Sequence, residues 1–121
     1  MDQWNIVLEA LESGQTVIDK NGKNILSIAI LNNAPIKVIN KIIDIMPAFT
    51  NQPDNQGNLP MHYAVSRELP NKKIISKLYF IYPPCLLIKN KQGRTPYNVI
   101  QDYLIVQFLE RLDSHSGAST R

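Results

Sequence analysis

Apolar residues recur along this chain in short, separated groups whose spacing is helical. Trp4, Val7, Leu8 and Leu11 fall on one stripe, and the pattern ends at Ser13-Gly14, which predicts a first helix. Val38-Ile39 and Ile42-Ile43 mark a second stripe, and Ile74-Ile75 with Leu78-Tyr79 repeat it 36 residues later. Each of these two stripes stops at a proline, in Ile45-Met46-Pro47 and Ile81-Tyr82-Pro83, because proline cannot donate to the helical ladder. Between the stripes lie shorter apolar groups. Ile25-Leu26-Ser27-Ile28-Ala29-Ile30 aligns with Pro60-Met61-His62-Tyr63-Ala64-Val65 and with Pro96-Tyr97-Asn98-Val99-Ile100-Gln101. Proline at the head of the second and third groups suits the first turn of a helix, where its missing N–H costs nothing.

Polar punctuation keeps the same register. Gly22, Gly57 and Gly93 are 35 and 36 residues apart, and each follows an Asp or Asn by three positions (Asp19, Asp54, Asn90). That pattern predicts a tight turn: the Asx side chain accepts nearby backbone N–H groups, and glycine tolerates positive φ. Turn, short helix, loop and longer helix therefore repeat as a unit.

The order and spacing of these elements resemble the ankyrin repeat, with its period of about 33 residues and its D-x-x-G-x-T-P-L-H-x-A signature. The nearest copy is Asp54-Asn55-Gln56-Gly57-Asn58-Leu59-Pro60-Met61-His62-Tyr63-Ala64. The third copy keeps Gly93-Arg94-Thr95-Pro96 but has Asn98 and Ile100 for the signature His and Ala, and the first lacks the Thr-Pro pair. The resemblance covers residues 4 to 112 and implies an all-α solenoid of helix-turn-helix units joined by hairpin-like turns. Its parts would be a capping half-repeat (1–14), a first repeat (19–47), a second (54–83), and a truncated capping repeat (90–112) whose helix Tyr103–Leu112 starts almost at once. Residues 113–121, small and polar, read as a disordered tail. One departure stands out: the loop Arg67-Glu68-Leu69-Pro70-Asn71 is a residue longer than its counterpart and lacks the usual helix-breaking glycine.

Composition narrows the class. Hydrophobic residues make up 44% of the 121, enough to pack one small domain. No apolar run approaches the roughly 18 to 20 residues of a membrane span, and the N-terminus lacks a signal-peptide pattern. The lone Cys85 has no internal partner, and one Cys with two His does not make a structural zinc site. An intracellular setting is expected: cytoplasm, nucleus, or a host cytosol for a pathogen or viral protein. No metal and no cofactor are expected.

Charge is uneven. Asp2, Glu9, Glu12 and Asp19 give residues 1–19 a charge of −4, whereas seven bases against Glu68 give Arg67–Arg94 +6. Such a field steers an acidic partner. An anionic polymer or membrane is the alternative, for which more arginine and interleaved aromatics would be needed. Tyr79, Phe80 and Tyr82 read instead as core or near-core.

No triad spacing or phosphate loop accompanies His62, so catalysis is not expected. The resemblance gives His62 the part of a clip between backbone groups of neighbouring repeats. Cys85 reads as a small packed residue. By the same resemblance, a partner protein would meet the turn tips and the exposed side of the first helices. Those positions are Lys20, Asn21 and Lys23; Asn55, Gln56 and Asn58; Lys91, Gln92 and Arg94; and the helix ends Leu31, Asn32, Ser66 and Arg67. Amides and cations there suit a polar, partly acidic protein surface and no small-molecule substrate. A structural fragment of a larger scaffold, or a homo-oligomer, is the other reading.

Overall fold

The computed structural model describes residues 3–15, 18–67 and 69–116. Among these the chain is all-helical: α1 Gln3–Glu12, α2 Ile25–Leu31, α3 Ile36–Ile45, α4 Pro60–Val65, α5 Lys72–Ile81 and α6 Tyr103–Ser116. Three short 3-10 helices, Pro47–Asn51, Pro83–Leu87 and Pro96–Val99, fill the intervals. The only strand-like pairing among the described residues is an isolated bridge between Ile18 and Asn24.

The helices form two rows. In one, α2 packs on α4 and α4 on the 3-10 helix Pro96–Val99; in the other, α1 packs on α3, α3 on α5 and α5 on α6. The stripe seen in the sequence makes the seam. Val38, Ile39, Ile42 and Ile43 of α3 are buried while Lys37, Lys41 and Asp44 face outward, and α5 repeats this with Ile74, Ile75, Leu78 and Tyr79. Leu26, Ile39, Ile42, Ile43, Val65, Ile75 and Leu109 have no measurable exposure. Burying each such side chain contributes about 1.5–3 kcal/mol.

Proline sets the ends. Met46 and Tyr82 close α3 and α5, and Pro47 and Pro83 then open 3-10 turns whose Phe49, Cys85 and Leu86 return to the core. Five residues hold no periodicity, so these turns are not legible in the sequence pattern. Phe80 departs from the core or near-core position expected for it. Phe80 is 59% exposed, since it lies one position past the buried Tyr79 and so turns off the stripe, and Tyr82 is half-buried. The last helix differs too. α6 continues to Ser116, four residues beyond the boundary set at Leu112, so the disordered tail expected from Asp113 is helical at its start. Residues 117–121 lie outside the described residues, as do Met1 and Asp2 of the expected capping half-repeat.

Candidate functional site

Three turns, Asp19–Lys23, Asp54–Asn58 and Asn90–Arg94, precede α2, α4 and the 3-10 helix Pro96–Val99 and share one geometry. In each, the first residue's N–H donates to the fifth residue's carbonyl (3.0, 3.0 and 2.8 Å), and the glycine N–H donates to the first residue's carbonyl. The Asx Oδ1 accepts two more amides inside the turn: Asn21 and Lys23 on Asp19, Gln56 and Asn58 on Asp54, Gln92 and Arg94 on Asn90, all at 2.9–3.0 Å. Gly22, Gly57 and Gly93 hold φ of 79°, 79° and 77°, a region open to glycine and costly for other residues.

The turns also bond to one another. Asn55 N–H donates to Asn21 O and Lys91 N–H to Gln56 O, both at 2.9 Å, so each tip is fixed on the next through backbone. A side chain cannot be inserted between them. A Cβ on Gly22 would lie 2.4 Å from Asn55 Oδ1, and one on Gly57 would lie 2.9 Å from Lys91 N; beside Gly93 nothing stands within 4 Å.

A polar network supports the tips from below. Tyr63 donates its hydroxyl to Asp54, Asn58 Nδ2 donates to Tyr63 Oη (3.3 Å), and Asn90 Nδ2 donates to Asn58 Oδ1 (2.8 Å). Burial, with the carboxylate of Asp54 alongside, pushes the Tyr63 phenol up to about 12. Lys23 Nζ stands 5.5 Å from the Tyr63 ring centroid, a cation–π contact.

His62, 2% exposed, is fully engaged. Its Nδ1 accepts the Leu59 N–H (3.0 Å), which requires the neutral tautomer with the proton on Nε2, and Nε2 donates to Arg94 O (2.9 Å). One ring thus caps α4 and grips the next turn. Burial holds its pKa below the ordinary histidine value. Ser27 and Asn98 hold the matching positions. There the cap is made by Asn24 Oδ1 accepting Ser27 N–H, and by a reciprocal pair between Thr95 and Asn98. Cys85 is sealed at 1% exposure, and burial pushes its thiol up to about 12, which leaves no thiolate for nucleophilic chemistry. Among the described residues no group of three or more His, Cys, Asp or Glu is placed to hold a metal ion, and no helix is long and apolar enough to cross a membrane.

The thirteen positions singled out from sequence divide into three sets. Lys20, Asn21, Asn55, Gln56, Lys91, Gln92 and Arg94 are exposed on the stacked tips. Lys23 and Asn58 are half-buried beneath them and are spent on Tyr63 and Asn90. Leu31, Asn32, Ser66 and Arg67 lie at the C-terminal ends of α2 and α4, about 10 Å from the tips along the seven residues of α2. Of these four, Leu31 and Asn32 are exposed and Ser66 and Arg67 half-buried, and the polar three are bonded within the fold. Asn32 Nδ2 donates to Ile28 O (2.8 Å), Ser66 Oγ to Tyr63 O (3.3 Å), and the Arg67 guanidinium to Ile30 O and Asn33 Oδ1. Arg67 thereby ties the loop after α4 to the last turn of the neighbouring helix α2. Tyr63 was not singled out beforehand; its position in the aligned group held no signal that its hydroxyl would reach Asp54.

The bases of Arg67–Arg94 do not form one patch. Arg67 belongs to the loop end, Lys72 stands over the Phe108 ring, Lys77 faces Asp44 at 3.5 Å, and Lys91 and Arg94 are on the tips.

No protein-family model matches the chain, and no curated protein matches it in sequence.

Proposed function

We propose that this chain is an ankyrin-type interaction module, without a chemical step, that binds a polar, partly acidic protein surface through its stacked turn tips. The observation that supports this reading most directly is the backbone stacking of the three turns. It holds the backbone of seven exposed polar residues in a row, four amides and three cations (Lys20, Lys91 and Arg94). A preformed backbone lowers the ordering cost of association, which then falls mainly on the side chains. The dispersal of the bases weighs against an anionic polymer as ligand, since counterion release rewards a continuous track of charge.

The test is affinity capture from a matched cell extract, comparing wild type with Lys91→Glu/Arg94→Glu. Both side chains are exposed, and Arg94 serves His62 only through its backbone carbonyl, so the fold is retained. A single protein held by the wild type and lost by the variant supports the reading. A protein that survives the charge reversal removes the tips as the site and favours a scaffold fragment or homo-oligomer, which light scattering on the purified chain then distinguishes.

A further inference from the structure

Each of the three stacked turns carries an amide side chain just before its glycine, and only the first carries the shorter one. Asn21 precedes Gly22, where the second and third turns have Gln56 and Gln92. No other asparagine of the chain is followed by glycine. The difference is chemical. The backbone nitrogen after an asparagine can close a five-membered ring on the side-chain carbonyl carbon, and a glycine nitrogen brings no Cβ to hinder it. From glutamine the ring would have six members and forms far more slowly. Asn21 is exposed, and its side-chain amide has no hydrogen-bond partner among the described residues. The peptide unit joining it to Gly22 is clamped at both ends: the N–H donates to Asp19 O (3.0 Å), and the C=O accepts the Asn55 N–H (2.9 Å). Asp19 Oδ1 adds a third tie by accepting the Asn21 N–H (2.9 Å). While these bonds hold, the Gly22 nitrogen keeps its proton and the peptide plane cannot rotate toward the side chain. This turn ends the stack, bonded to a neighbouring turn on one side, so it opens at less cost than the middle one.

We propose that Asn21-Gly22 is a site of spontaneous covalent modification, gated by the bonds that hold the first turn closed and stacked on the second. When the turn opens, the Gly22 nitrogen gives up its proton and bonds to Asn21 Cγ. The Cγ–Nδ2 bond breaks, and ammonia leaves with a proton in place of the one lost. One water then splits the cyclic imide at either carbonyl. Opening at the former side-chain carbonyl gives aspartate; opening at the main-chain carbonyl gives isoaspartate, whose backbone runs through the former side chain. Both products put a new carboxylate on the first tip. The isoaspartyl product cannot rebuild the turn. It adds a carbon to the backbone between Asp19 and Gly22, and the carbonyl that accepts the Asn55 N–H becomes part of the free carboxylate. The first turn then comes away from the second. This chemistry does not depend on whether the tips bind a partner.

The test incubates the purified chain in mildly alkaline buffer beside a synthetic peptide of residues 18–25. Cation-exchange chromatography follows the loss of positive charge, and peptide mapping by mass spectrometry locates it. The native chain is expected to convert at Asn21 before any other asparagine, several-fold more slowly than the peptide. Asp19→Ala, which removes the Oδ1 acceptor, should convert several-fold faster than wild type. Asp19→Asn keeps that acceptor, as Asn90 does in the third turn, and should convert at the wild-type rate. Asn21→Gln should yield no such species, and the isolated isoaspartyl form should unfold at lower urea than fresh protein. A native rate equal to that of the peptide overturns the gating, and this comparison needs no variant to fold. Earlier conversion at another asparagine, or an intact Asn21 after many half-lives of the peptide, overturns the site. An unchanged urea midpoint in the isoaspartyl form overturns its link to the stack.

Discussion

At the scale of single residues, identical-looking glycines carry different constraints. All three need positive φ, but Gly57 is also pressed against Lys91 backbone, whereas Gly93 has open space where a Cβ would go. Gly93→Ala should therefore cost only the conformational penalty, about 1–2 kcal/mol. Gly57→Ala must in addition break the Lys91–Gln56 bond and shift the third turn, so its loss should be at least about 1 kcal/mol larger. Urea unfolding of the two variants checks the order; equal midpoints would mean that the turns are not stacked as described. The Asx–Gly turns themselves were readable in the sequence because every bond that makes them is local. The Asn58–Asn90 bond spans 32 residues and the Tyr63–Asp54 bond depends on how α4 is set against its turn, so neither left a trace in the pattern.

Elements were legible wherever burial is periodic. α1, α3 and α5 follow from their stripes, and the prolines placed two of their ends. The 3-10 turns were hidden, since Pro-Ala-Phe-Thr-Asn and Pro-Pro-Cys-Leu-Leu bury residues without a repeating face. The ends of α2 and α4 show how sequence chemistry can mislead. Arg67 reads as a surface cation at a binding edge, yet its guanidinium closes α2 from the adjacent unit by way of Ile30 O and Asn33. Truncating it leaves a helix-terminal carbonyl without that donor, and charge-assisted bonds of this kind contribute about 1.5–3 kcal/mol when sheltered. With Arg67 half-buried, Arg67→Ala should lower unfolding free energy by about 1–2 kcal/mol, measured by denaturant titration. The exposed Lys73→Ala, as control, should stay within about 0.5 kcal/mol. A neutral Arg67→Ala would return that residue to the list of candidate partner contacts.

For the whole molecule, the coupling between units runs through His62 as well as through the apolar seam. Protonating Nδ1 would convert the acceptor of the Leu59 amide into a donor and place a charge at a site 2% exposed. Burial lowers the folded pKa below 6.5, the hydrogen bond to the Arg94 carbonyl and then the Asp54 carboxylate offsetting it only in part. Between the folded pKa and about 6.5 the unfolded chain binds more protons than the folded one, so stability rises with pH across that interval. The His62 contribution is complete above about pH 6.5 and is lost as pH falls through the folded value. Thermal midpoints should thus decline from pH 7 toward pH 5, and His62→Gln, which keeps one donor and one acceptor without a titrating ring, should flatten that decline. An unchanged slope in the variant would remove His62 as the cause. The clip was expected from the family resemblance alone. Its consequence for acid stability needed the structure, because the tautomer follows from which atoms stand opposite each ring nitrogen.

The burial of Cys85 has a practical side. The chain has one thiol, and that thiol is both inaccessible and held in its protonated form at neutral pH. Maleimide or iodoacetamide reagents need an open thiolate. A cysteine introduced at an exposed tip, Asn21 or Gln92 for instance, would react alone in the native protein. A dye can therefore be attached to the proposed contact surface of the otherwise unaltered chain.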